Sequence, residues 1–64
     1  MYKFGQTIIH PVDFDNAMLF ELNVIVLQDG QIIDFGGKIE KNSEESVLIN
    51  AEYYLKSDCK FKFR

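Results

Sequence analysis

Hydrophobic positions in this chain alternate with polar ones in short runs and are not spaced as on a helix face, a pattern that predicts strands. From Tyr2 to His10, the residues Tyr2, Phe4, Thr7, Ile8 and Ile9 are mostly β-branched or aromatic, and Pro11 ends the run because it has no N–H for a ladder. Residues 11–17 (Pro-Val-Asp-Phe-Asp-Asn-Ala) are rich in turn formers and read as a loop, with a short helix capped by Asp15 and running to Leu22 as the alternative. Met18 to Gln28 is nearly continuous apolar chain, and Val24-Ile25-Val26-Leu27 favours a strand because branched side chains suit the pleat.

Asp29-Gly30 follows, a pair that tolerates the positive φ angles of a two-residue hairpin turn, so the second and third strands are expected to pair. Across Gln31 to Glu40, strict alternation places Ile33, Phe35, Gly37 and Ile39 on a core face, with a bend or bulge expected at Gly36-Gly37. Lys41 to Glu45 is a polar turn leading into a short strand, Ser46–Asn50, in which Val47 and Ile49 share a face. Asn50 to Lys56 shows no alternation and reads as a single 3₁₀ turn. In the last strand Cys59, Phe61 and Phe63 alternate with Asp58, Lys60, Lys62 and Arg64.

These elements give an all-β expectation. Gly37-Lys38-Ile39-Glu40 followed by Val47-Leu48-Ile49 is similar to the KOW pattern of a glycine, a branched residue and a distant hydrophobic pair. Tyr53-Tyr54-Leu55-Lys56 resembles the turn before the final strand of such folds. From Gly30 to Phe63 the chain therefore resembles a small five-stranded SH3-like barrel of the KOW or Tudor type, a single domain over residues 1–64, with an OB-like or open-sheet α+β arrangement as the competing topology. The resemblance implies a binding module for peptides, methylated side chains or nucleic acid, and not an enzyme.

Composition narrows this reading. With 64 residues the chain has room for one small core, and 47% hydrophobic residues are enough to build it. Ten acidic against seven basic residues give a net charge of -3, which disfavours general binding to phosphates. A single cysteine excludes an intrachain disulfide, and no apolar run approaches the roughly 20 residues that span a bilayer, so a soluble protein of the reducing cytosol is expected.

Few residues suggest chemistry. His10, Asp13 and Asp15 are close enough in sequence to share a metal ion, but three candidate ligands at turn-like spacing are far better accounted for by a solvated acidic loop, and no metal or cofactor is assigned. Cys59 lies on the Phe61 face and reads as a small buried hydrophobe; Asp34, Glu40, Glu44 and Glu45 read as charged surface. Asp34-Phe35-Gly36 matches the kinase magnesium triplet by chance, since the chain is far too short for a kinase.

Two surfaces stand out for binding. Phe14, in the long loop, and Tyr53 or Tyr54, which cannot both point inward, are the expected contacts for a protein partner. Lys56, Lys60, Lys62 and Arg64 hold four of the seven basic charges near the C-terminus; they form the alternative, a nucleic-acid surface, unless they serve only to keep sheets from aggregating. Phe20, Leu22, Val24 and Val26 fill one face of the second strand while Leu19, Ile25 and Leu27 occupy the other, so one face needs cover from barrel curvature or a homodimer. The reading that results is a non-catalytic protein-interaction module of a bacterial or phage accessory protein.

Overall fold

The computed structural model describes residues 3–64. In chain order it contains β1 (Thr7–Ile8), α1 (Pro11–Leu19), β2 (Asn23–Gln28), β3 (Gln31–Asn42), β4 (Ser46–Ile49), β5 (Glu52–Leu55) and β6 (Lys60–Phe63). The strands form one open antiparallel sheet in the order β1-β6-β2-β3-β4-β5, so the fold is mainly β with six strands where five were expected. No helix among the described residues is long and apolar enough to cross a membrane.

The expected first strand shrinks to Thr7–Ile8, paired with Lys62 and Phe61 of β6. Gly5 turns the chain at φ 80°, with its N–H donating to the Phe63 carbonyl, which stops the strand from extending backward. Tyr2 lies outside the described residues.

Residues 11–17 are helix, not loop. Pro11 occupies the first helical turn, where its missing N–H costs nothing, and His10 supplies an extended N-cap residue whose carbonyl accepts from the Asp13 N–H at 2.9 Å. The helix ends in a Schellman motif: Leu22 N–H donates to the Ala17 carbonyl and Glu21 N–H to that of Met18, with Glu21 in the left-handed region at φ 54°. Met18 and Leu19 therefore finish a helix, and β2 begins only at Asn23.

The β2–β3 hairpin turns at Asp29 (φ 52°) and Gly30 (φ 78°) as expected. β3 then departs from simple alternation. Val24 pairs with Gly37, Val26 with Asp34 and Leu27 with Ile32, so β3 carries an extra residue in each interval. Each bulge resets which face the next side chain takes. Ile39 is buried, but Ile33 and Phe35, expected in the core, are exposed. Gly36 sits at φ 84° with a hypothetical Cβ only 1.4 Å from the Val24 carbonyl oxygen, so only glycine fits where the bulge presses on β2.

Asn50 to Lys56 is a hairpin and a strand, not a 3₁₀ turn. Asn50 (φ 53°) and Ala51 (φ 63°) make the two-residue turn, and β5 pairs back on β4 from Glu52–Ile49 to Leu55–Ser46. The one-turn connection comes later, where the N–H groups of Asp58 and Cys59 both donate to the Leu55 carbonyl.

The core gathers Ile8, Phe14, Ala17, Val24, Val26, Ile39, Val47, Ile49, Phe61 and Phe63 on the inner face of the sheet, with α1 laid against β3. Val47 and Ile49 share that face, and Phe61 and Phe63 alternate into it, as the sequence pattern requires. Each such side chain contributes about 1.5–3 kcal/mol through burial, which makes this layer the main source of stability.

Candidate functional site

The first expected site is taken up by the fold. Phe14 is 3% exposed, which corrects its reading as a surface contact. The helix turns its ring inward, edge-on to Phe61 at 5.3 Å between centroids. Lys56 closes over the ring with its Nζ 4.3 Å from the centroid and donates to the Ser43 carbonyl at 2.6 Å. Burial pushes the Lys56 ammonium below its ordinary value. Nearby, Asn42 Nδ2 donates to Asp15 Oδ1 at 2.6 Å and ties the helix to the end of β3. Asp15 is thus a fold contact, and no group of three or more His, Cys, Asp or Glu suited to a metal forms among the described residues.

Tyr53 and Tyr54 divide as expected: Tyr53 is exposed and Tyr54 half-buried. Tyr54 is a tether. Its hydroxyl donates to Asp34 Oδ2 at 2.7 Å, while Asp34 Oδ1 accepts from Asn50 Nδ2 at 3.0 Å and the Gly36 N–H at 2.7 Å. Asn50 Nδ2 also reaches the Gly36 carbonyl at 3.1 Å. The donated hydrogen bond from Tyr54 holds the Asp34 carboxyl below its ordinary value, and the same bond raises the Tyr54 phenol to about 12. Such a carboxylate is a weak base and such a phenol a weak acid, so the cluster clasps the β3 bulge to the β4–β5 hairpin and is poorly suited to proton transfer. Cys59 packs half-buried against the core with its thiol pushed up by burial, then by the Asp58 charge, which keeps it in the unreactive form.

The outer face of β6, β2 and β3 is different. Because Val24, Val26 and Phe61 point inward, Ile25, Leu27, Lys60 and Lys62 point outward. Across the strands, Ile32, Leu27 and Lys60 stand in one row, and Ile25, Lys62 and Thr7 in the next. Ile32 is 45% exposed, and Phe35, farther along β3, is 66% exposed. Neither Lys60 nor Lys62 has an ion pair among the described residues, where Lys38 with Glu21 is the pair found. Arg64 extends this strand and donates from Nη1 to the Phe35 carbonyl at 3.2 Å. Of the four basic residues singled out in the sequence, Lys60, Lys62 and Arg64 thus follow one strand, while Lys56 is bound over Phe14 on the core side.

The part missed in the sequence is the exposure of Ile33 and Phe35, which depends on the two bulges, whose direction alternation cannot supply; Ile25 and Leu27 were visible as an uncovered side of β2. Comparison with family models, curated proteins and solved structures returns no match.

Proposed function

We propose that this chain is a non-catalytic binding module that docks an acidic, apolar-faced segment of a protein partner on the outer face of β6, β2 and β3. The observation that carries the reading is the row Ile32–Leu27–Lys60 beside Ile25–Lys62, where the exposed Ile32 and the half-buried Leu27 and Ile25 adjoin cations that have no ion pair among the described residues. Exposed apolar surface rimmed by charge is the usual character of a protein contact. An SH3-like barrel of the KOW or Tudor type remains the fold reading. It is supported by the strand order β6-β2-β3-β4-β5 and by the one-turn connection ahead of β6.

A nucleic-acid surface is the second reading, favoured by Lys60, Lys62 and Arg64 following one strand beside the exposed Phe35. Bases stack on aromatic rings, whereas the centre of this face is aliphatic, and the net charge of -3 repels a phosphate backbone. Both points favour the protein-partner reading.

Amide shift mapping on isotope-labelled protein separates the readings. An acidic amphipathic helical peptide is expected to move the amides of Ile25, Leu27, Ile32, Lys60 and Lys62, and Ile32→Glu should weaken its binding at least about tenfold without unfolding the protein. Oligo-dT that moves the same amides with a steep salt dependence, lost in Lys60→Gln with Lys62→Gln, would transfer the site to nucleic acid. If neither probe moves this face, it is not the binding surface.

A further inference from the structure

The two ends of the sheet are not equally protected. β1 is only Thr7–Ile8, too short to template another strand, whereas β5 ends the sheet as Glu52–Leu55 with no proline and no bulge in its pairing. Lys56 N–H donates to the Glu45 carbonyl at 2.8 Å, so in the β4–β5 ladder Glu45 and Lys56 are a hydrogen-bonded pair. Stepping by two, Tyr54 and Glu52 also face β4, and the backbone groups of Tyr53 and Leu55 point to the free edge. The Leu55 carbonyl is engaged by the N–H groups of Asp58 and Cys59. Tyr53 N–H, Tyr53 C=O and Leu55 N–H are left facing outward, beside side chains that are 61% exposed at Tyr53 and 50% at Leu55.

We infer that β5 is a dimerisation edge, and that its occupant is β5 of a second copy, antiparallel across a two-fold axis centred on Tyr54. A two-fold axis requires antiparallel strands. With Tyr54 opposite Tyr54, the outward-facing residues meet each other: Leu55 N–H of each copy donates to the Tyr53 carbonyl of the other. The exposed Tyr53 and Leu55 side chains then stand directly across from one another as aromatic–aliphatic pairs. The same register sets Glu52 and Lys56 opposite each other along the backbone, while the Lys56 ammonium stays over the Phe14 ring. Moving the axis by one residue, to Tyr53 or Leu55, gives a single outward-facing pair. This surface is separate from the outer face of β6, β2 and β3, so the dimer and partner binding succeed or fail independently.

Light scattering from about 10 μM to 1 mM, combined with amide hydrogen exchange, tests the edge. The native chain is expected to reach twice the monomer mass, with the Leu55 amide gaining protection as concentration rises. Leu55→Pro removes the donating N–H without touching the β4 ladder, and should weaken the dimer more than about tenfold. Leu55→Lys, which has no backbone constraint and sets a charge on the edge, should do the same if the proline variant fails to fold. A native chain that stays monomeric with a freely exchanging Leu55 amide overturns the inference. So does a dimer of unchanged strength in Leu55→Lys, or one broken by Ile32→Glu instead.

Discussion

The β2–β3 and β4–β5 hairpins use the same turn with different chemistry. Asp29-Gly30 and Asn50-Ala51 both hold two consecutive residues at positive φ, the first with a glycine that adopts it freely and the second with an alanine at 63° that does not. The first turn stands by itself: a Cβ at Gly30 would meet nothing within 4 Å. The second is held from outside, because Asn50 bonds Asp34 and the Gly36 carbonyl, and Ala51 N–H donates to Glu40 Oε2 at 3.1 Å. A turn specified by its own residues is readable locally, while one imposed by partners elsewhere in the chain is not.

The sharpest break in this comparison is at Gly36, where the first hairpin receives the clasp from the second. A Cβ there would lie 1.4 Å from the Val24 carbonyl oxygen and 2.4 Å from its carbon, at φ 84°. Backbone of the neighbouring strand cannot step aside as a side chain can. Gly36→Ala is expected to cost more than about 4 kcal/mol, most of the stability of a domain this small, and to appear in thermal melts as loss of the cooperative transition. Gly37→Ala is the control. Its Cβ would first meet the Asn50 side chain, at 3.0 Å from Oδ1, and about 1 kcal/mol is expected as that amide shifts.

The same division explains what the sequence made visible. β2, the Asp29-Gly30 turn, β4 and the charged alternation of β6 were legible because each depends on neighbours in the chain. The helix was missed because Asp13, Asp15 and Asn16 look like turn residues, His10 makes no side-chain cap and Glu21, not glycine, takes the left-handed position after Phe20. The Phe14 and Ala17 spacing was its one periodic signal. Missing the helix also misplaced Phe14 on the surface. Gly36-Gly37 announced a bulge but not that an additional residue would enter β3 near Ile33, so the exposure of Ile33 and Phe35 stayed hidden. Lys60, Lys62 and Arg64 were legible as a set; that Lys56 leaves them for the Phe14 ring is a tertiary fact.

A smaller effect is expected at the clasp. Tyr54→Phe removes the 2.7 Å hydrogen bond to Asp34 and should cost about 1 kcal/mol, the value of a charge-assisted bond reduced by solvent around a half-buried pair. Its pH signature is more telling. Asp34 is held below 3.8, so its contribution is complete above that value and is lost as pH falls through the lowered folded-state value. Tyr54 is raised from 10.0 to about 12, so its contribution is complete below 10.0 and is lost as pH rises toward 12. Urea midpoints across pH should fall at both ends in the native chain. In Tyr54→Phe the alkaline loss assigned to this group should vanish, and the acid loss should shrink because Asp34 has lost the donor that lowers it most. An unchanged alkaline limb would show that the two hairpins are not joined through this bond.

The smallest effects compare the turns themselves, with opposite signs. Ala51→Gly relieves a left-handed alanine, worth about 1–2 kcal/mol, and gives back part of it through the greater freedom of glycine in the unfolded chain. Ala51 N–H keeps its bond to Glu40, since the backbone group is unchanged. A net gain of about 0.5–1 kcal/mol is expected, seen as a higher urea midpoint with an unchanged slope. Gly30→Ala introduces the same strain at φ 78° with no clash to add to it, so its cost should be about 1 kcal/mol. The two turns lie in different hairpins, so the two changes should cancel to within about 0.5 kcal/mol in the double variant. If Ala51→Gly instead destabilises, the clasp around Asn50 depends on the stiffness of Ala51, and the second turn is part of the clasp, not merely held by it.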